Sequence, residues 1–236
     1  VATLILLRHA RSTANGSGTL AGRSPGVGLD DSGRAQAAGL AERLGALPVA
    51  EFVVSPLQRC AETVSEVAAS RGLTPVVEPR LTEVDYGDWT GRAVKELTEE
   101  SLWKVVQQHP SAAVFPGGEG LAQVQARAVA AVREHDARIT EQHGPNALWV
   151  ACSHGDVIKS IVADAVGTHL DAFQRIVVDP CSVSVVRYTE VRPFVVKVND
   201  TGSDVSGLLP PAEESAKDGE SGGAESDAVV GGSTGA

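Results

Sequence analysis

The chain has 236 residues, enough for one large domain or two small ones, and 42% of them are hydrophobic, ample for a core. Aromatics make up only 4%, so that core is built from Val, Leu, Ala and Ile. A net charge of −10 argues against nucleic acid as a partner; no apolar run approaches the roughly 18 residues that span a membrane, and no basic-then-apolar start marks a secretory signal.

In chain order, the first predicted strand is Thr3–Arg8, apolar through Leu7 and then abruptly basic at Arg8 and His9. A helix over Asp31–Leu47 follows, with Asp30 as N-cap. "FVVS" places a strand at Phe52–Ser55. The chain turns at Pro56 into a helix over Leu57–Arg71, stopped by Gly72. Pro75–Glu78 reads as a strand. Residues 90–120 form an insert expected to cover the site, with Trp89 and Trp103 suited to a cavity wall or to the core. Next come a helix over Leu121–His143, a strand over Ala147–Ser153, a helix over Asp156–Val166, and strands over Ser182–Thr189 and Phe194–Asn199. "FVVS" and "ALWVACS" have the unbroken apolar character of inner parallel strands. Alternating elements predict an α/β domain with a mostly parallel sheet over residues 1–200.

Residues 201–236 are rich in Gly, Ser, Ala, Glu and Pro, with seven acids against Lys217 alone. That composition predicts an acidic disordered tail. Its apolar pair, Leu208-Leu209, is the feature suited to docking on a neighbouring subunit. Cys60, Cys152 and Cys181 show neither metal spacing nor a disulfide framework, and read as free thiols of a reducing cytoplasm.

Ligands of such sheets bind beyond the carboxyl ends of the strands. The first strand ends in Arg8-His9, the second runs into a helix carrying Arg59, and the fourth ends in Ser153-His154-Gly155. As neighbours, these strands would bring two histidines and two arginines to one edge. A single strand-end histidine is more often a packed or capping residue; the ordered combination carries the weight.

"LLRHARSTAN", "SPLQRCAET", "LTEVDYGDWTG" and "SHGDVIKS" together resemble the histidine phosphatase, or phosphoglycerate mutase-like, superfamily over about residues 3–190. Ala10 stands where the family usually has Gly, and Gly120 where its "PGGE" segment is usually followed by Ser. The resemblance implies a three-layer α/β/α fold with a mostly parallel central sheet. It implies His9 as nucleophile, Arg8, Arg59 and His154 as the phosphate pocket, and Glu83 as general acid. Ser12 and Asn15 match flanking phosphate-contacting positions. Arg11 and Arg23 are candidates for a second anionic group. Asp85 and Asp88 read as solvated turn carboxylates, and Asp156 as a first-turn acid meeting a helix dipole.

The residue chemistry agrees with these roles. Phosphoryl transfer needs positive charge on the equatorial oxygens, and the planar fork of Arg supplies it. Neighbouring arginines keep His9 neutral, a carboxyl raised by burial supplies the leaving-group proton, and no metal or cofactor is needed. The expected function is a cytoplasmic phosphomonoesterase acting on a small phosphorylated metabolite through phosphohistidine. The alternatives are a cofactor-dependent phosphoglycerate mutase and a non-catalytic phospho-ligand-binding module. The insert favours the hydrolase: residues 84–125 carry six acids against Arg92, Lys95 and Lys104, a poor lining for a bisphosphate. The resemblance also suggests a homodimer.

Overall fold

The computed structural model describes residues 2–202. The tail expectation beyond Gly202 therefore lies outside the described residues. The elements, in order, are β1 (Thr3–Arg8), α1 (Thr13–Ser17), α2 (Asp31–Arg43), β2 (Val49–Val54), α3 (Gln58–Ala69), β3 (Val76–Val77), α4 (Val94–Leu97), α5 (Ser101–Gln108), α6 (Leu121–His143), β4 (Leu148–Ser153), α7 (Gly155–Ala165), β5 (Val183–Tyr188) and β6 (Pro193–Asp200).

The strands form one sheet in the order β3-β2-β4-β1-β5-β6. β1, β2, β3 and β4 are mutually parallel, and β5 and β6 add an antiparallel flank. The two apolar runs read as inner strands are β2 and β4, each with a neighbour on both sides. Because side chains alternate along a strand, each inner strand feeds two cores. Leu4 and Leu6 of β1, with Trp149 and Ala151 of β4, pack against α6, α7 and the insert. Ile5 and Leu7, with Val150 and Cys152, pack against α2 and α3. Helices thus cover both faces in a three-layer α/β/α arrangement. α7 is buried nearly all round, as its apolar "VIKSIVA" run requires.

Two of the boundary differences from expectation have clear physical reasons. α2 stops at Arg43 rather than Leu47: Pro48 offers no N–H to the Leu44 carbonyl and disfavours a helical Leu47, and the Arg71 guanidinium takes the Leu44 and Leu47 carbonyls instead. β3 is only Val76–Val77: it lies at the sheet edge, bracketed by Pro75 and by Pro79, which opens a short 3₁₀ turn. The insert expected to cover the site is itself packed into the core. Its Leu97, Trp103, Val106 and Phe115 belong to the α6/α7 core, where Trp103 stacks on Trp89 with centroids 6.3 Å apart.

Candidate active site

The register of the central strands sets the site. Arg8 pairs with Ser153 across β1 and β4, and the His9 amide donates to the Ser153 carbonyl at 2.9 Å. The Ser55 amide donates to the Cys152 carbonyl at 3.0 Å, so β2 finishes level with them and the next turn launches α3 with Arg59. Arg8, His9, Arg59, Glu83 and His154 are all buried at this edge. Five ionisable groups removed from water together need a reason, since isolated buried charges are costly.

The histidine tautomer follows from its neighbours. Arg59 Nε–H can only donate, and it lies 3.2 Å from His9 Nε2. Nε2 therefore carries the lone pair, and Nδ1–H donates to the Ala10 carbonyl at 2.8 Å. The turn is pinned in turn by the Ala10 amide donating to Thr63 Oγ1 at 2.9 Å. Burial, then the charges of Arg59 and Arg8, hold the His9 pKa well below the usual histidine value. His9 is therefore neutral, with its lone pair at Nε2 facing Arg59.

The cations are fixed around it. Arg8 Nη1 donates to the Val178 carbonyl at 2.7 Å; burial lowers its pKa, while Glu83, Asp156 and Asp179 support its charge. Arg59 Nη2 donates to the Gly22 carbonyl at 2.8 Å. Its Nη1 is buried with no hydrogen-bond partner among the described residues, a donor suited to an anionic oxygen. The His154 ring lies 5.2 Å from the His9 ring, with Nε2 at 2.7 Å from Ser55 Oγ. Burial first, then Arg59, keep His154 neutral as well.

Glu83 closes the site. Its Oε1 accepts from the Val84 amide at 2.9 Å, and Oε2 lies 3.8 Å from His154 Nδ1. Burial and the nearby charge of Asp156 outweigh Arg59 and Arg8 and raise its pKa to about 7. A carboxyl poised there holds a proton at neutrality and can release it.

The segment carrying Glu83 is clamped from behind. Arg127 of α6 donates to the carbonyls of Arg80, Thr82 and Glu83, and grips both oxygens of Glu119 at 2.8 and 3.0 Å. Arg23 donates to the Glu83 carbonyl at 2.9 Å and to Glu119 at 2.7 Å. Burial opposes charge on Glu119, but the Arg127 and Asp85-amide hydrogen bonds hold its pKa low. The "PGGE" turn touches the acid segment so closely that a Cβ on Gly118 would sit 2.2 Å from the Asp85 carbonyl oxygen, and one on Gly87 2.0 Å from that of Pro116. Gly87 also has φ of 50°.

The remaining sequence candidates are placed as follows. Ser12 and Asn15 form the capping box of α1, with Ser12 Oγ donating to Asn15 Oδ1 at 2.8 Å. Arg11 pairs with Asp30 at 3.5 Å, and Arg23 is engaged with Glu119 and lies 3.7 Å from Asp85. Asp88 is exposed, and Asp85 accepts from the Gly87 amide in its turn. Asp156 does begin α7, yet it is fully buried and accepts the Tyr86 hydroxyl at 2.8 Å. Sequence reasoning missed Ser55, Tyr86 and Arg127. Ser55 and Tyr86 lie inside the quoted motifs, whereas Arg127 is an ordinary helical arginine until folded.

The family model for the histidine phosphatase superfamily, branch 1, matches residues 4–201. The chain belongs to that family. Phosphoserine phosphatase 1 of Hydrogenobacter thermophilus is 32% identical over 201 residues, covering 84% of this chain and 92% of the relative. A Cronobacter sakazakii protein named "Probable phosphoglycerate mutase GpmB" is 30% identical over 212 residues, covering 88% and 95%. Among solved structures, Bacillus stearothermophilus YhfR superposes with a TM-score of 0.76 at 27% identity, covering 85% of this chain and 98% of that one. As a histidine phosphatase the protein acts on phosphate esters. Among the described residues no group of three or more His, Cys, Asp or Glu is placed to hold a metal ion, and no helix is long and apolar enough to cross a membrane.

Proposed function

We propose that the protein hydrolyses a small phosphorylated metabolite in the cytoplasm, with His9 as nucleophile and Glu83 as general acid. The observation that carries this is the Arg59–His9 contact: one guanidinium faces the lone pair of His9 and presents a buried Nη1 donor with no hydrogen-bond partner among the described residues. His9 Nε2 attacks phosphorus, and the P–N bond forms as the P–O ester bond breaks. The released pair stays on the ester oxygen, which takes the Glu83 proton. Arg8, Arg59, His154 and Ser55 hold the equatorial oxygens of the metaphosphate-like group. Water then gives its proton to the Glu83 carboxylate and attacks phosphorus. The P–N pair returns to Nε2, and phosphate leaves.

Hydrolysis is favoured over isomerisation because Arg11 and Arg23 are already engaged by Asp30 and Glu119. A mutase needs well-ordered cations around a second phosphate. The relative named as a mutase keeps that activity as the second reading. The exposed Phe194, Val196 and Val198 of the edge strand β6 support the homodimer as a proposal. Residues 201–236 carry none of the site residues, consistent with a tail outside the catalytic domain.

The test pairs two assays. Acid-labile phosphohistidine trapped during turnover should map to His9, and His9→Ala should abolish turnover; full activity in that variant overturns the reading. With 3-phosphoglycerate and catalytic 2,3-bisphosphoglycerate, free phosphate and 2-phosphoglycerate are followed together. Rapid interconversion with little phosphate release would establish the mutase instead. A panel of phosphomonoesters, phosphoserine included, then identifies the substrate.

A further inference from the structure

The mechanism leaves one buried charge cluster unused, and it abuts the acid. Asp156 is fully buried in the first turn of α7, where the helix N-terminus favours negative charge. Its carboxylate accepts the Tyr86 hydroxyl at 2.8 Å and lies 3.5 Å from Lys159 Nζ. Lys159 is itself buried, hydrogen-bonded to Gln174 at 3.1 Å and set against the Phe173 ring. Tyr86 lies three residues after Glu83 and packs edge-on to Phe115 at 4.9 Å. One carboxylate thus connects the second-histidine helix to the acid segment.

The electrostatics of Glu83 pose the problem this cluster answers. The cations near it are Arg59 from α3, Arg8 from β1, and Lys159 from α7. Arg127 from α6 and Arg23 hold its carbonyl. His154, after β4, is neutral. Every one of these cations favours a carboxylate at Glu83, yet a general acid must keep its proton in that field. The opposing groups are the apolar surroundings and Asp156.

We propose that Asp156 is the positioning residue of the general acid: anchored by Lys159, it holds the Tyr86 hydroxyl and supplies the negative charge against which Glu83 keeps its proton. The assignment rests on Glu83 being the acid. It explains why a buried lysine stands one turn along α7. Lys159 lies 3.5 Å from Asp156, so that carboxylate is buried beside a counter-cation rather than alone.

The test is the pH profile of kcat on an alkyl phosphate. Loss of the Asp156 charge lets Arg59 and Arg8 dominate, and Glu83 gives up its proton at lower pH. Asp156→Asn should move the basic limb down by about one pH unit, a loss approaching tenfold above the limb, with recovery on acidification. Asp156→Ser removes the charge with a smaller polar side chain. It should shift the limb the same way, and it serves if the Asn variant does not fold. A limb unmoved in the folded variant overturns the proposal. Glu83→Gln is the separate control. If it depresses alkyl and aryl phosphates equally, the acid assignment itself fails; if it is selective while the Asp156 variants keep the wild-type limb, only the positioning role fails.

Discussion

Arg127→Ala tests whether the clamp behind the acid segment matters to catalysis. Arg127 makes five hydrogen bonds, two to Glu119 and three to the carbonyls of Arg80, Thr82 and Glu83. Breaking one side of a buried ion pair costs about 3–5 kcal/mol when the partner is stranded. Glu119 is not stranded, because Arg23 and the Asp85 amide still hold it at 2.7 and 3.0 Å. The expected loss of stability is therefore smaller, about 2–3 kcal/mol. Catalysis should suffer selectively. The Glu83 carbonyl loses one of its two arginine donors, and a displacement of about 1 Å in a reacting group costs on the order of 100-fold. That loss should fall on alkyl phosphates, which need the proton, and far less on aryl phosphates, which do not. Arg127→Lys restores the charge without the fork and should recover only part of both effects. The assays are urea unfolding followed by circular dichroism, and kcat on one alkyl and one aryl ester. A stability loss below about 1 kcal/mol with an unchanged alkyl-to-aryl ratio would refute the clamp, since hydrogen bonds to charged groups are worth more than that.

Two further outcomes are expected. The rate on alkyl esters should be high below neutrality and fall as pH rises through about 7, because the raised pKa of Glu83 leaves it protonated only below that value; His9, whose pKa is depressed, stays neutral across this window. A rate that stays flat from pH 6 to 9, measured with saturating substrate, would contradict the assignment. Away from the site, hydrogen bonds from Arg80 and His135 hold Glu78 at about 2, so its contribution to stability is complete above the ordinary glutamate value near 4.5 and is lost as pH falls toward 2. Glu78→Gln should lower the melting temperature at pH 7 and flatten its decline under acid; parallel melting curves for variant and wild type would count against that linkage.

What the sequence by itself determined is what lies within a few residues along the chain. Leu4–Leu7 running into Arg8-His9, and Leu148–Cys152 running into Ser153-His154, are strands with chemistry at their ends, legible because apolar runs and their terminating residues are local. The parallel sheet followed from the alternation of elements, whereas the convergence of Arg8, His9, Arg59 and His154 was conditional on their strands being neighbours, which the order β2-β4-β1 supplies. The acid was different. Glu83, Asp85, Asp88 and Asp156 are all carboxylates on the page, and burial and partners separate them: Asp88 is exposed, Asp156 is buried but taken by Tyr86 and Lys159, and Glu83 is closed off beside His154. Asp156 looked like a helix-dipole acid because its buried partner Tyr86 lies 70 residues away in sequence. Arg127 stands among ordinary helical residues just past the insert, and nothing local marks it. Its role exists only once α6 packs along the segment from Arg80 to Glu83. Arg11 and Arg23 show the same limit, since free and engaged arginines read identically until the tertiary structure brings Asp30 and Glu119 to them. Charge type is written in the chain, but desolvation and pairing depend on distances that only folding sets.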